Sequence, residues 1–135
     1  MAILVVETGA IVPNANSFIS LLDARLLADD RANKLPTNDD EAIDALIKGA
    51  IYVNNQEGGL QGARVSVDQT MCFPRKGVVK YGFDVPIDSI PGELLCAQVE
   101  AAASIGAGVD PYSPDEGKEV ASETVVGAVA VSYFE

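Results

Sequence analysis

A long irregular segment constrains the fold of this 135-residue chain more than any other feature. Residues 57–90 are rich in glycine, proline and aspartate, and they separate an amphipathic helical pattern from an apolar one. A turn-rich stretch of this length is uncommon in a small domain, and it is usually functional or structural by design. No catalytic motif lies within it. The segment therefore indicates a binding or assembly protein.

The sequence on either side of this segment predicts three helices. Ser20 caps the first helix, which runs to about Arg31, and Thr37 or Asn38 caps the second. The second helix buries apolar residues at helical spacing, namely Ile43, Leu46, Ile47, Ala50 and Ile51. The third helix, residues 93–105, is apolar almost all round, which predicts a central position or a contact with another subunit.

Both ends of the chain predict β-structure. Residues 2–6 form an apolar run typical of a short strand or arm, and the alternation through residues 125–134 predicts a C-terminal hairpin. We therefore expect a mainly α fold with a small β part: three to four helices, a long loop, an N-terminal strand or arm and a C-terminal β-hairpin. All 135 residues form one domain, with an arm (1–16), a helical core (17–109) that includes the loop, and the hairpin (118–135).

Few residues have the chemistry of an active site. The chain has no histidine, which excludes hydrolase arrangements that depend on that side chain. The carboxylates of residues 39–41 fit a charged first helical turn better than a metal site. Cys72 and Cys96 match no zinc or redox spacing, and we expect reduced thiols, with Cys72 buried and inert. We expect no enzyme activity, no catalytic residue, no metal and no cofactor.

The charge of the chain argues against nucleic acid as a partner. Nine Lys and Arg residues stand against twenty Asp and Glu residues, a net charge of −11, whereas affinity for nucleic acid comes mostly from basic side chains. Arg75, Lys76 and Lys80 come nearest to a basic patch. Five aromatic residues could stack on bases but have no basic companion set: Tyr52, Phe73, Tyr81, Phe83 and Tyr112. Single-stranded-DNA binding as a replication accessory is kept as the alternative function, and an acidic inhibitor or DNA mimic has charge alone in its favour.

Several short motifs keep their order along the chain. They are Ala-Asn-Ser-Phe at 15–18, Phe-Pro-Arg-Lys-Gly-Val at 73–78, Ile-Pro at 90–91 before the Ala-rich helix, and Ser-Glu-Thr-Val-Val-Gly from 122, which leads to Ser-Tyr at 132–133. In this order they resemble the phage head–tail connector, or adaptor, proteins, a group often labelled DnaT-like single-stranded-DNA-binding proteins. Relatives carry Trp where this chain has Phe73, which replaces one aromatic core residue with another.

This resemblance implies a structural virion protein, a ring of twelve copies that joins the capsid portal to a tail or stopper protein. Its location would be the virion neck, after assembly in the bacterial cytoplasm, with no membrane contact. DNA would pass through the lumen without specific binding, past an acidic surface. We place subunit contacts at Phe73, Arg75, Lys76, Val78, Leu94 and Val99. We place portal or tail contacts at Ile3, Val5, Val125, Val129, Val131, Tyr133 and Phe134.

Overall fold

The computed structural model describes residues 2–109, which form three helices and two small antiparallel sheets. In chain order the elements are α1 (Leu21–Asp30), α2 (Asp39–Asn54), a 3₁₀ turn (Glu57–Gly59), β1 (Ala63–Arg64), β2 (Arg75–Lys76), β3 (Val79–Lys80), β4 (Phe83–Asp84) and α3 (Gly92–Gly106). The mainly helical class with a small β part is confirmed. The predicted C-terminal hairpin lies outside the described residues.

The predicted starts of α1 and α2 are confirmed by their caps. The Ser20 hydroxyl oxygen accepts from the Asp23 amide at 3.2 Å, and Asn38 Oδ1 accepts from the Glu41 amide at 3.1 Å. Each bond satisfies an amide that the first turn of a helix leaves without a partner. Helix α3 begins differently, since Pro91 is its cap residue and makes no side-chain cap bond.

Helix α3 is the central helix, as its apolar composition predicted. It packs against both α2 and α1, and each residue from 93 to 105 is buried or half-buried. Its closest approach is to α2, where Gly49 faces the backbone of α3. A Cβ atom at Gly49 would lie 2.7 Å from the Gln98 carbonyl oxygen and 3.1 Å from the Ala102 nitrogen. The two helices meet here almost backbone to backbone.

The buried face predicted for α2 is only partly right. Leu46 and Ala50 are buried and Ile43 and Ile47 are half-buried, but Ile51 is 50% exposed. The face that meets the core is rotated toward smaller side chains, namely Ala42, Ala45, Gly49 and Val53. The physical reason is the close α2–α3 approach, which only small residues allow, so that the bulky isoleucines lie at its margins.

A buried glutamine in α3 joins this helix to α2 and to the segment before α1. Gln98 of α3 is completely buried. Its Oε1 accepts from the Phe18 amide at 2.8 Å, and its Nε2 donates to the Ser17 hydroxyl oxygen at 2.8 Å and to the Leu46 carbonyl at 2.9 Å. One side chain thus ties α3 to α2 and to the segment that precedes α1.

The N-terminal residues form an arm, with a single bridge instead of a full strand. Val6 pairs in parallel with Ser17, and the Asn16 side chain accepts from the Val5 amide at 2.7 Å and donates to the Ile3 carbonyl at 2.9 Å. The side-chain amide of Asn16 thus makes hydrogen bonds to the arm that a neighbouring strand would otherwise make with its backbone. The motif at 15–18 is therefore explained by structure: it holds the arm and supplies Ser17 and Phe18 to Gln98.

The long loop is organised around an ion cluster. Glu57 Oε2 lies 2.7 Å from Arg64 Nε and 2.7 Å from Arg75 Nη1. Arg75 is only 5% exposed, and its guanidinium also donates to the carbonyls of Gln61, Gly62 and Cys72. A buried guanidinium is stable in such a site because all of these acceptors face it. The cluster ties the start of the loop, at Glu57, to strands β1 and β2 without a large sheet.

The α2–α3 contact yields a stability prediction. Gly49→Ala should lower the free energy of unfolding by about 1–3 kcal/mol, because the added methyl overlaps the backbone of α3. Gly92→Ala is the matched control, since no atom lies within 4 Å of a Cβ there. That variant should be neutral or stabilise by up to about 1 kcal/mol. Urea denaturation monitored by circular dichroism measures both. Equal effects of the two variants would contradict the close packing.

The ion cluster predicts a loss of stability in acid. Hydrogen bonding from Arg64 lowers the pKa of Glu57 below its ordinary value of 4.5; burial opposes this, and Arg75 lowers the pKa further. A lowered folded-state pKa gives stability that is present above pH 4.5 and is lost as pH falls through the folded-state pKa. The difference in unfolding free energy between wild type and Glu57→Gln should therefore shrink from about pH 6 to about pH 3. A difference independent of pH would contradict this assignment.

Candidate nucleic-acid interface

Strands β3 and β4, both within the long loop, form a tight hairpin at the protein surface. Lys80 pairs with Phe83 across the hairpin, and Val79 pairs with Asp84. The two-residue turn between them has a positive φ at both positions, 53° at Tyr81 and 80° at Gly82. This is the backbone twist that a two-residue hairpin favours. Tyr81 is an uncommon residue for such a conformation, which costs about 1–3 kcal/mol outside glycine.

We call residues 79–84 the aromatic hairpin, since it exposes two rings. Tyr81 is 70% exposed and Phe83 is 76% exposed. Exposed rings so close in sequence are unusual for a surface, where large aromatics are normally at least half covered. The strained conformation of Tyr81 and the exposure of both rings coincide at the same turn, a combination that is typical of a binding site.

Two lysines, Lys76 and Lys80, precede these rings in the sequence. Lys80 Nζ lies 5.5 Å from the centroid of the Tyr81 ring, within range of a cation–π contact. Lys80 also forms an ion pair with Glu93 in the first turn of α3. Lys76, at the end of β2, is exposed. The hairpin thus combines flat apolar rings with nearby positive charge.

The charge around the hairpin differs from that of the whole chain. Residues 57–90, the long loop that carries the hairpin, contain four basic and four acidic residues, a net charge of 0 against −11 overall. Arg64 and Arg75 are bound to Glu57, and Lys80 is paired with Glu93, so that Lys76 is the basic residue of this loop whose charge has no ion pair within residues 2–109. Asp84, which is exposed, lies on the same hairpin and weakens the local positive charge.

The hairpin is held by the core beneath it. Val78, which is almost completely buried, accepts from the Val85 amide at 2.9 Å. The Gln61 side chain accepts from the Val79 amide. Gly62 allows the close approach of β2, since a Cβ there would lie 2.2 Å from the Lys76 carbonyl oxygen. The two rings therefore project from a backbone that is fixed at its base.

Most residues predicted to form subunit contacts are buried in the interior of the fold. Phe73, Val78, Leu94 and Val99 are at most 2% exposed and belong to the hydrophobic core. Arg75 belongs to the ion cluster, and Lys76 is exposed. Of the predicted portal or tail contacts, Ile3 is exposed and Val5 is half-buried. The rest lie outside the described residues: Val125, Val129, Val131, Tyr133 and Phe134.

The aromatic candidates separate in the same way. Tyr52 and Phe73 are buried, and Tyr112 lies outside the described residues, so that Tyr81 and Phe83 are the two left at the surface. The hairpin that joins Tyr81 and Phe83 was not predicted from the sequence. The available signal was Tyr-Gly between two short runs that contain valine, a spacing that favours a two-residue turn.

Other kinds of site find no support in residues 2–109. No group of three acidic or cysteine side chains in that range could hold a metal ion, and no helix there has the length and apolar character to cross a bilayer. Both cysteines are free thiols. The expected burial of Cys72 is confirmed, and this burial raises the pKa of its thiol to about 12.

Comparison with known proteins overturns the connector assignment. No curated protein and no solved structure matches the chain. One family model does match, over residues 2–135, and its description is "Putative DnaT-like ssDNA binding protein". The head–tail connector assignment is therefore wrong, and so are the predicted ring, portal and tail partners and the nonspecific passage of DNA. The virion location was inferred from that assignment alone and stays untested. The chain belongs to the DnaT-like family that this model describes.

Proposed function

We propose that this protein binds single-stranded DNA through the aromatic hairpin. The observation that carries the proposal is the exposure of Tyr81 and Phe83 on a fixed two-residue hairpin, with the ammonium group of Lys80 beside the Tyr81 ring. The description of the matched family supports the same ligand. Binding of this kind requires no catalytic group, and we propose that the protein is not an enzyme.

The chemistry of the hairpin suits unpaired bases. Every base has a flat π-face, so that stacking on Tyr81 and Phe83 tolerates any sequence. In a duplex those faces are covered by neighbouring base pairs, and the rings would have to unstack them. The lysines add attraction for phosphate next to the rings. The site should therefore prefer single strands to duplex.

The fixed base of the hairpin favours binding. The hydrogen bond that the Val85 amide donates to Val78, the one that Gln61 Oε1 accepts from the Val79 amide, and the buried Val78 side chain hold the strands in place before a ligand arrives. A site that is already ordered loses less conformational entropy on binding. The contacts of the two rings and the two lysines therefore contribute to the affinity with little loss of conformational entropy in the loop.

The acidic remainder of the chain limits the affinity. A net charge of −11 repels the DNA backbone at long range. With Lys76 and a Lys80 that is paired with Glu93 as the phosphate ligands, log affinity should fall with log salt at a slope between about −0.7 and about −1.4, which is shallow for a nucleic-acid-binding protein. Stacking, which depends little on salt, then provides most of the binding free energy.

Variants of the two rings test the proposal. Tyr81→Asn and Phe83→Ala should each weaken binding of a fluorescein-labelled oligothymidine by about 5- to 150-fold, the range for loss of one stacked base. Asparagine tolerates a positive φ, so Tyr81→Asn should keep the turn and raise the unfolding free energy by up to about 1 kcal/mol. Fluorescence anisotropy at low salt measures the affinity.

Leu26→Ala is the matched control, because Leu26 is 57% exposed on α1 and outside the hairpin. It should bind like wild type. Wild-type affinity in both ring variants, with thermal unfolding showing that they are folded, would contradict the proposal. So would equal binding of the oligothymidine and a duplex of the same length.

A further inference from the structure

Lys80 is already occupied by an internal carboxylate. Its Nζ pairs with Glu93, and each of the two side chains is 27% exposed. Glu93 Oε2 is buried and accepts no hydrogen bond from any other group within residues 2–109. Lys80 is thus the partner of this oxygen. If Lys80 turned toward another anion, a buried carboxylate oxygen would be left without a partner.

We infer that Glu93 is a built-in competitor that occupies Lys80 in place of a DNA phosphate and lowers the affinity of the hairpin. This inference rests on the proposed function and names a regulatory residue for the same site. A carboxylate and a phosphate present the same kind of oxygen to an ammonium group, so that Lys80 cannot serve both fully at once.

The position of Glu93 fits this role. It lies in the first turn of α3, where the positive end of the helix dipole stabilises a negative side chain. The helix therefore holds the carboxylate in place from one side while Lys80 approaches from the hairpin. Lys80 also lies over the Tyr81 ring, so its release from Glu93 would leave it beside the stacking surface.

Glu93→Gln tests the inference. The amide keeps the size of the side chain and removes the charge that competes with phosphate. Affinity for the labelled oligothymidine at low salt should rise by about two- to fivefold, the range set by partly exposed ion pairs. The salt slope should become steeper by up to about 0.7, the contribution of one phosphate on a single strand.

Two comparisons separate release of Lys80 from a general change in charge. Asp88→Asn removes one negative charge from an exposed residue in the same part of the chain, and it should change the affinity less than Glu93→Gln does. In a Lys80→Met background, Glu93→Gln should give no gain, because there is no lysine to release. This double-mutant cycle isolates the coupling between the two residues.

The outcomes distinguish the inference from the proposed function. If wild type binds the oligothymidine but Glu93→Gln binds equally or more weakly, the inference is wrong and the proposed function stands. A gain that persists in the Lys80→Met background, or that Asp88→Asn reproduces, also overturns it. Failure of wild type and of the folded Glu93→Gln variant to bind would overturn both.

Discussion

The fold depends on the close contact of α2 and α3 and on the amide of Gln98 that lies within it. Gly49 lets the two backbones meet, and the side chain of Gln98 in α3 then satisfies groups from α2 and from the segment before α1. A buried amide of this kind is stable only when its polar atoms have partners. The arrangement therefore fixes the register of the helices more sharply than the aliphatic core could, because apolar contacts have no direction.

The hairpin depends on this frame through the ion cluster of the long loop. Arg75 and Glu57 connect the end of α2 to strands β1 and β2, and Val78 enters the core directly after β2. Polar contacts therefore hold the long loop in place, a role that a larger β-sheet has in other folds. They leave a two-residue turn free to hold Tyr81 in a conformation that costs stability and exposes its ring, an exchange of stability for function that binding sites often show.

Local signals in the sequence predicted the local structure well. Ser20 and Asn38 were recognisable as helix caps because a cap is decided by a few neighbouring residues. The buried face of α2 was not, since it depends on how closely α3 approaches, and that distance depends on Gly49 together with Gln98 and Ala102. Nothing near Gln98 in the sequence shows that its partners lie about eighty residues away.

The function was misread for a related reason. Net charge is a sum over the whole chain, whereas a ligand interacts with the charges and rings of one local surface. The overall value of −11 led us away from DNA, although the loop of residues 57–90 has a net charge of 0 and carries the two exposed rings. The family match and the hairpin lead back to the alternative function. An acidic protein can bind a single strand if stacking supplies most of the affinity.

The most direct test is an NMR titration of the ¹⁵N-labelled protein with an unlabelled oligothymidine of about ten nucleotides, a length within the usual range of single-strand sites. The account predicts that the largest shifts in amide resonances fall on residues 76–84, with small shifts in α1 and in the first half of α2. Shifts centred on another surface, or none at concentrations near millimolar, would contradict the assignment of the hairpin as the DNA-binding site.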